Sequence, residues 1–263
     1  MILTIRPVLF LLFLAISGTE TFAQSSLYTP AQAHSHNDYE HKNAFWDAYK
    51  QGFGSIEADL ILQDSVLYTA HDKTGISEER TFKKLYLEPI ISEIEKNGGK
   101  IYAQSNTILQ LLIDLKTPAT ETMAVLLREL APYEQYLAPK GTVKIVISGN
   151  TPDPTTYNKY PDYIYFDGRP DISYTKYQLL RLGLISQSFQ TYSKWNGEGE
   201  MLKKDQKRLE KVISQAHELD KKIRFWATPD NINAWKTMMS LKVDYLNTDK
   251  VVEMGDYLRT APK

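Results

Sequence analysis

The sequence predicts an α/β protein, a single-domain (β/α)8 TIM-type barrel, and three observations predict it. Eight short strand-like runs, of which residues 31–36 are weak on propensity, alternate with segments of helical periodicity, the pattern of a parallel sheet with crossover helices. About 240 residues follow an N-terminal leader, a length that one closed barrel commonly fills. No proline-rich linker, low-complexity tract or internal repeat divides them. An open, doubly wound sheet is the alternative, but no GxGxxG or P-loop motif follows an early strand, so a dinucleotide or P-loop site has no local support.

Residues 1–23 read as a signal peptide. Arg6 supplies the positive start, residues 8–16 (VLFLLFLAI) are too short an apolar run to span a bilayer, and Thr21-Phe22-Ala23 offers small residues at the two positions a signal peptidase reads. Cleavage after Ala23 would export a barrel of residues 24–263 to the periplasm or the medium, with no transmembrane segment. The strands are expected at 31–36, 54–62, 109–116, 143–149, 163–168, 182–189, 223–229 and 243–249. Helices are expected at 43–51, 89–97, 120–130, 204–219 and 231–240; in the first, Ala44, Phe45, Ala48 and Tyr49 share one face.

Composition narrows the chemistry. There are 31 Lys plus Arg against 32 Asp plus Glu, and no basic block, so the footprint of a nucleic-acid binder is missing. Without cysteine there is no disulfide framework, thiolate zinc site or cysteine nucleophile, which leaves carboxylates and five histidines. A monomer acting on a small-molecule or lipid substrate is expected.

Residues 34–72 hold four of those histidines. Within them, SIEADL places Glu57 and Asp59 two apart, which on a strand puts both carboxylates on one side. Two like charges on a buried face need a counterion, supplied either by Lys or Arg or by a divalent cation. Asp114 ends the apolar run LLID, with Lys116 two residues on and on the same side. The two can simply pair with each other. In a barrel, though, such strand ends converge, and three carboxylates would form a hard oxygen site for Mg²⁺ or Ca²⁺. Imidazole moves protons near neutral pH, so His36 and His71 complete a set able to break a phosphodiester. His34 shares a strand face with His36 and can take its place. His41 reads as a cap or surface residue and His217 as a helix-surface residue.

These residues resemble the PLC-like phosphodiesterases, a superfamily that includes glycerophosphodiester phosphodiesterases and the venom phospholipases D. GFGSIEADL is similar to the metal-binding strand of that group, LYTAHD to its second histidine segment and IDLKT to its third carboxylate and lysine. RFWATPDNINAWKTMMSLKVDYLNTDK is similar to its closing unit. HSHNDYE, the EAD strand and LYLEP look like landmarks of the "altered inheritance of mitochondria" subgroup. The resemblance implies a metal held by Glu57, Asp59 and Asp114, catalysis by His36 and His71, and substrate contacts from Lys116 and Trp226; His34, beside His36, and Asn37, whose amide can donate to a phosphate oxygen, are further candidate substrate contacts. Trp226 also reads as a core residue of an apolar strand. One departure stands out. Glycerophosphodiesterases generally follow the first histidine with Arg-Gly, whereas Asn37-Asp38 follows His36 here, so that position carries no cation.

The expected activity is metal-dependent cleavage of a glycerophosphodiester or phospholipid-type phosphodiester. A non-catalytic binding protein for an anionic envelope component is the competing reading. A phosphomonoesterase ranks last, because no Ser or Thr nucleophile stands in a metal-site motif.

Overall fold

The structure is a computed structural model that describes residues 28–260. The leader expected over residues 1–23 lies outside the described residues. Nine strands are present among those described: β1 (Ala33–Ser35), β2 (Ser55–Gln63), β3 (Val66–Thr69), β4 (Leu109–Leu115), β5 (Val143–Gly149), β6 (Ile164–Gly168), β7 (Leu182–Ser188), β8 (Ile223–Trp226) and β9 (Leu246–Thr248). Eight of them run parallel in the order β8-β7-β6-β5-β4-β2-β1-β9. A parallel bridge between Arg224 and Tyr245 and the bond from Asp244 N to Ile223 O (3.1 Å) join the two ends, so the barrel is nearly closed.

All eight expected strands are therefore present, and β3 is an addition. It pairs antiparallel with β2 through a two-residue turn in which Asp64 (φ 50°) and Ser65 (φ 63°) both take the left-handed conformation that hairpin turns demand. Some strands are shorter than expected. β8 stops at Trp226 because Ala227 turns to φ 54°. β9 begins at Leu246, after the isolated bridge at Tyr245.

The helices are α1 (Trp46–Gln51), α2 (Glu88–Lys96), α3 (Ala119–Leu130), α4 (Lys176–Leu180), α5 (Lys203–Glu218), α6 (Ile232–Ser240) and α7 (Val251–Thr260). The five expected helices correspond to α1, α2, α3, α5 and α6. The first begins three residues late because Phe45 sits at φ 64° with its N–H donated to the buried Asp38 carboxylate (2.5 Å), which fixes a turn where the helix was expected to start.

Two apolar layers follow from the period-2 alternation of the strands. Outward residues such as Ile56, Ala58 and Leu60 of β2 and Leu111 and Ile113 of β4 pack with Ile90 and Ile94 of α2 and Met123 and Leu126 of α3. Each Leu, Ile or Met among them contributes roughly 1.5–3 kcal/mol when fully buried. Inward, Leu112, Val146, Leu184 and Tyr245 plug the lumen, with Tyr165 packed against them. Above that plug, toward the C-terminal ends of the strands, the inward positions turn polar.

Candidate active site

Three carboxylates meet in this polar layer. Glu57 and Asp59 project inward from β2, and the register sets Asp59 directly beside Asp114 of β4. Ligand atoms of all three lie within 4.8 Å of one another. The fit around Asp114 is tight: Gly149 ends β5 at φ 70°, and a Cβ on it would stand 1.9 Å from Asp114 Oδ1. Glycine is needed there both for its backbone and for the space it leaves.

Cations inside the barrel balance part of this charge. Arg224, which is buried on β8, donates from Nη1 to Glu57 Oε2 at 2.6 Å. Lys116 Nζ lies 2.9 Å from Asp59 Oδ2 and 3.2 Å from Asp114 Oδ2. Thus the simple pairings that the sequence allowed are both present, within the same cluster that gathers the carboxylates. Burial opposes ionisation of Glu57, but Arg224 and His34 outweigh it and hold the carboxyl well below the usual range. Asp59 moves the other way. Burial and the Glu57 charge raise its pKa, against Lys116 and the Tyr39 hydroxyl, which donates to Oδ2 at 2.6 Å.

The histidines divide into two kinds. His36 follows β1, and its Nδ1 meets Asp249 Oδ1 at 2.8 Å, which leaves Nε2 for chemistry. Burial lowers its pKa, but the hydrogen bond to Asp249 and the Glu57 charge prevail and the net shift is upward. His71 comes just after β3, with Nδ1 3.3 Å from Asp59 Oδ2 and its side chain 70% exposed. The hairpin accounts for this placement: β3 turns back along β2 with Thr69 opposite Leu60, and the chain then leaves at the height of Asp59.

His34 is a correction. Its strand face makes it a candidate substrate contact, but it has no exposed surface, and both ring nitrogens are taken: Nδ1 by Ser55 Oγ at 2.7 Å, Nε2 by Glu57 at 2.8 Å and by a close approach of Arg224. Burial, with Arg224 adding to it, pushes its pKa down to about 3, so the ring is neutral and supports Glu57. The choice between His34 and His36 as the accessible imidazole therefore falls on His36.

Asn37 has φ 47°, and its side chain lies between His36, Asp249 and the Tyr39 hydroxyl oxygen, which is 3.2 Å from Oδ1. Trp226 is 38% exposed at the C-terminal end of β8, two residues beyond Arg224 on the same strand face, and so is not a core residue. A recess of about 450 Å³ opens beside it, lined by Trp195 and Asn196 after β7 and by Ala227 and Thr228 after β8. A larger cavity of about 770 Å³ lies at the opposite, N-terminal ends of the strands, among Gln110, Lys144 and Tyr245, and holds none of the candidate residues. His41 caps a short 3-10 turn, and His217 on α5 pairs with Asp244 at 2.8 Å.

Three residues of the site escaped the sequence reading: Tyr39, Arg224 and Asp249. Tyr39 and Asp249 stand inside quoted motifs, HSHNDYE and YLNTDK, but neither has a spacing that marks it. Arg224 had one available signal, a charged residue within the apolar strand IRFW.

The donor set fits a divalent cation. All three groups are hard oxygen ligands. Asp59 Oδ1 is buried with no hydrogen-bond partner, a cost that a bound cation would remove.

The profile of the AIM6-like phosphodiesterase domain matches residues 24–167, and that of the Glycerophosphoryl diester phosphodiesterase family matches residues 222–251. The chain belongs to the AIM6-like phosphodiesterase family. Altered inheritance of mitochondria protein 6 homolog of Arthroderma benhamiae is 26% identical over 258 residues, which cover 84% of this chain and 82% of that protein. Altered inheritance of mitochondria protein 6 of Lachancea thermotolerans is 23% identical, over 85% of this chain and 64% of that one. Among solved structures, a glycerophosphodiester phosphodiesterase from Parabacteroides distasonis superposes with a TM-score of 0.56 at 14% identity, covering 87% of this chain and 97% of that chain. That likeness is one of fold, and it agrees with the (β/α)8 barrel of this AIM6-like chain. Among the described residues, no helix is long and apolar enough to cross a membrane.

Proposed function

We propose that this protein is an exported phosphodiesterase that cleaves a glycerophosphodiester or phospholipid-type phosphodiester. Glu57, Asp59 and Asp114 would hold Mg²⁺ or Ca²⁺, and His36 and His71 form the acid–base pair. The observation that carries the reading is the meeting of three carboxylates from β2 and β4 in one polar layer, with two accessible imidazoles beside it. Export is supported by the leader-like residues 1–23.

One imidazole takes the proton from the attacking hydroxyl as its oxygen bonds to phosphorus. The other gives a proton to the alcohol oxygen as its bond to phosphorus breaks. Asp249 holds the tautomer of His36, and Asp59 orients His71. Lys116, at the mouth with 25% of its side chain exposed, adds positive charge where negative charge grows on the phosphoryl oxygens. A divalent cation bound to the triad would polarise those same oxygens. Trp226, exposed at the C-terminal end of β8, offers an aromatic face to one alcohol group.

The test is His71→Ala. This side chain is exposed, so its loss should leave the fold intact while the rate of alcohol release falls by about 10²- to 10⁴-fold. An unchanged rate would remove His71 from the mechanism. Tight anion binding without turnover across a broad phosphodiester panel would favour the binding-protein reading.

A further inference from the structure

The inward positions at the level of the triad form a polar ring that continues past Asp114. Asp114 is in register with Ser148 of β5, whose Oγ donates to Asp167 Oδ2 on β6 at 2.8 Å. Ser186 of β7 donates to the same oxygen at 2.6 Å and is itself in register with Arg224. On this ring the arrangement Asp-x-cation occurs twice. Lys116 stands two residues above Asp114 and pairs with it. Arg169 stands two residues above Asp167, with Nη1 at 2.7 Å from Oδ2.

Two other arginines of the barrel are fully committed. Arg224 is buried against Glu57, and Arg181 is buried on the carbonyl oxygens of Tyr160, Pro161 and Ile164. Arg169 differs. All its contacts, to Asp167, Ser186 Oγ and Gly168 O, use Nη1, so Nε and Nη2 have no partner among the described residues, and 30% of its side chain is exposed. Asn37, beside His36, brings no charge to the mouth.

We infer that Arg169 forms an oxyanion subsite at the barrel mouth and grips the phosphodiester group of the substrate together with Lys116. Asp167, fixed by two serine hydroxyls, pins Nη1 and orients the planar fork. The uncommitted Nε and Nη2 donors are those a guanidinium uses for bidentate contact with phosphate. The identity of the anion rests on the phosphodiesterase reading, whereas the subsite itself can be tested without turnover.

The experiment measures binding of inorganic phosphate by calorimetry, and separately its competitive inhibition of phosphodiester cleavage. Arg169→Gln should weaken phosphate binding by roughly 10- to 100-fold. With a phosphodiester substrate, the same variant should lower kcat/KM by a comparable factor. Because Arg169→Gln leaves Asp167 without its cation, two further variants are measured. Arg169→Lys keeps the charge and loses the fork, and Arg169→Gln combined with Asp167→Asn removes both charges together. Both should lose phosphate affinity while keeping the circular dichroism of the parent. Unchanged phosphate affinity in the folded variants, or no phosphate binding by the parent protein, would overturn the inference. Phosphate binding that depends on Arg169 in a protein that turns over no phosphodiester would uphold it and overturn the catalytic reading instead.

Discussion

Arg224 and Asp249 act on the site without belonging to the triad. The guanidinium of Arg224 is buried against Glu57, so removing it strands a carboxylate in the lumen. Arg224→Met should therefore cost about 3–5 kcal/mol in chemical denaturation, and adding Glu57→Gln should recover part of that loss. Asp249 holds the pKa of His36 above its ordinary value against the opposing effect of burial. A raised folded-state value stabilises the fold fully below the unfolded pKa of about 6.5, and that contribution is lost as pH rises through the folded value. In Asp249→Asn the His36 titration, followed by NMR, should move to lower pH, and the stability deficit relative to the parent should shrink as pH rises. At this scale the sequence was readable where spacing carries meaning: Glu57 and Asp59 two apart on a strand, Asp114 and Lys116 likewise, and histidines on either side of them in the chain. His34 and His36 have equivalent spacing, and only burial separates them. Arg224 lies 167 residues from its partner, beyond any local pattern.

Elements place these residues through register. The Asp64-Ser65 turn fixes β3 against β2 and so delivers His71 to Asp59. That hairpin was missed because Asp-Ser is a weaker turn signal than Asn-Gly, although both residues adopt the required left-handed conformation. Gly149 has the corresponding role at the end of β5. Gly149→Ala would meet Asp114 Oδ1 and the Leu115 carbonyl at 1.9 and 2.6 Å and would also be strained by its positive φ. The expected outcome is a stability loss of about 1–3 kcal/mol in thermal or denaturant melts, with activity falling further than stability explains, since Asp114 must move. Most of the barrel strands could be read because their apolar runs are bounded by turn residues; β1, Ala33–Ser35, has no such run. The short helix α4 could not, since its five residues give periodicity too little length.

At the scale of the whole molecule, the barrel turns sequence-distant strand ends into one mouth. Alternation along each strand puts an apolar plug below and a polar ring above, which is why the candidate metal ligands from β2 and β4, Arg224 from β8 and His36 after β1 meet at one end. Closure through β9 was implied by counting eight strands, but the ring of Ser148, Asp167 and Ser186 was not readable, because single polar residues in apolar strands have no partner in sequence. A cation bound only by the folded triad should raise the melting temperature of chelator-stripped protein, by a shift corresponding to about 2.7 kcal/mol at a hundredfold excess over its dissociation constant. Asp59→Asn should abolish that rise. The most direct test of the central claim follows alcohol release from a generic phosphodiester by stripped protein as Mg²⁺ or Ca²⁺ is returned. The account predicts negligible turnover without the cation, saturable recovery with it, and no recovery in a folded Asp114→Asn variant. Turnover indifferent to both chelation and the loss of Asp114 would contradict it.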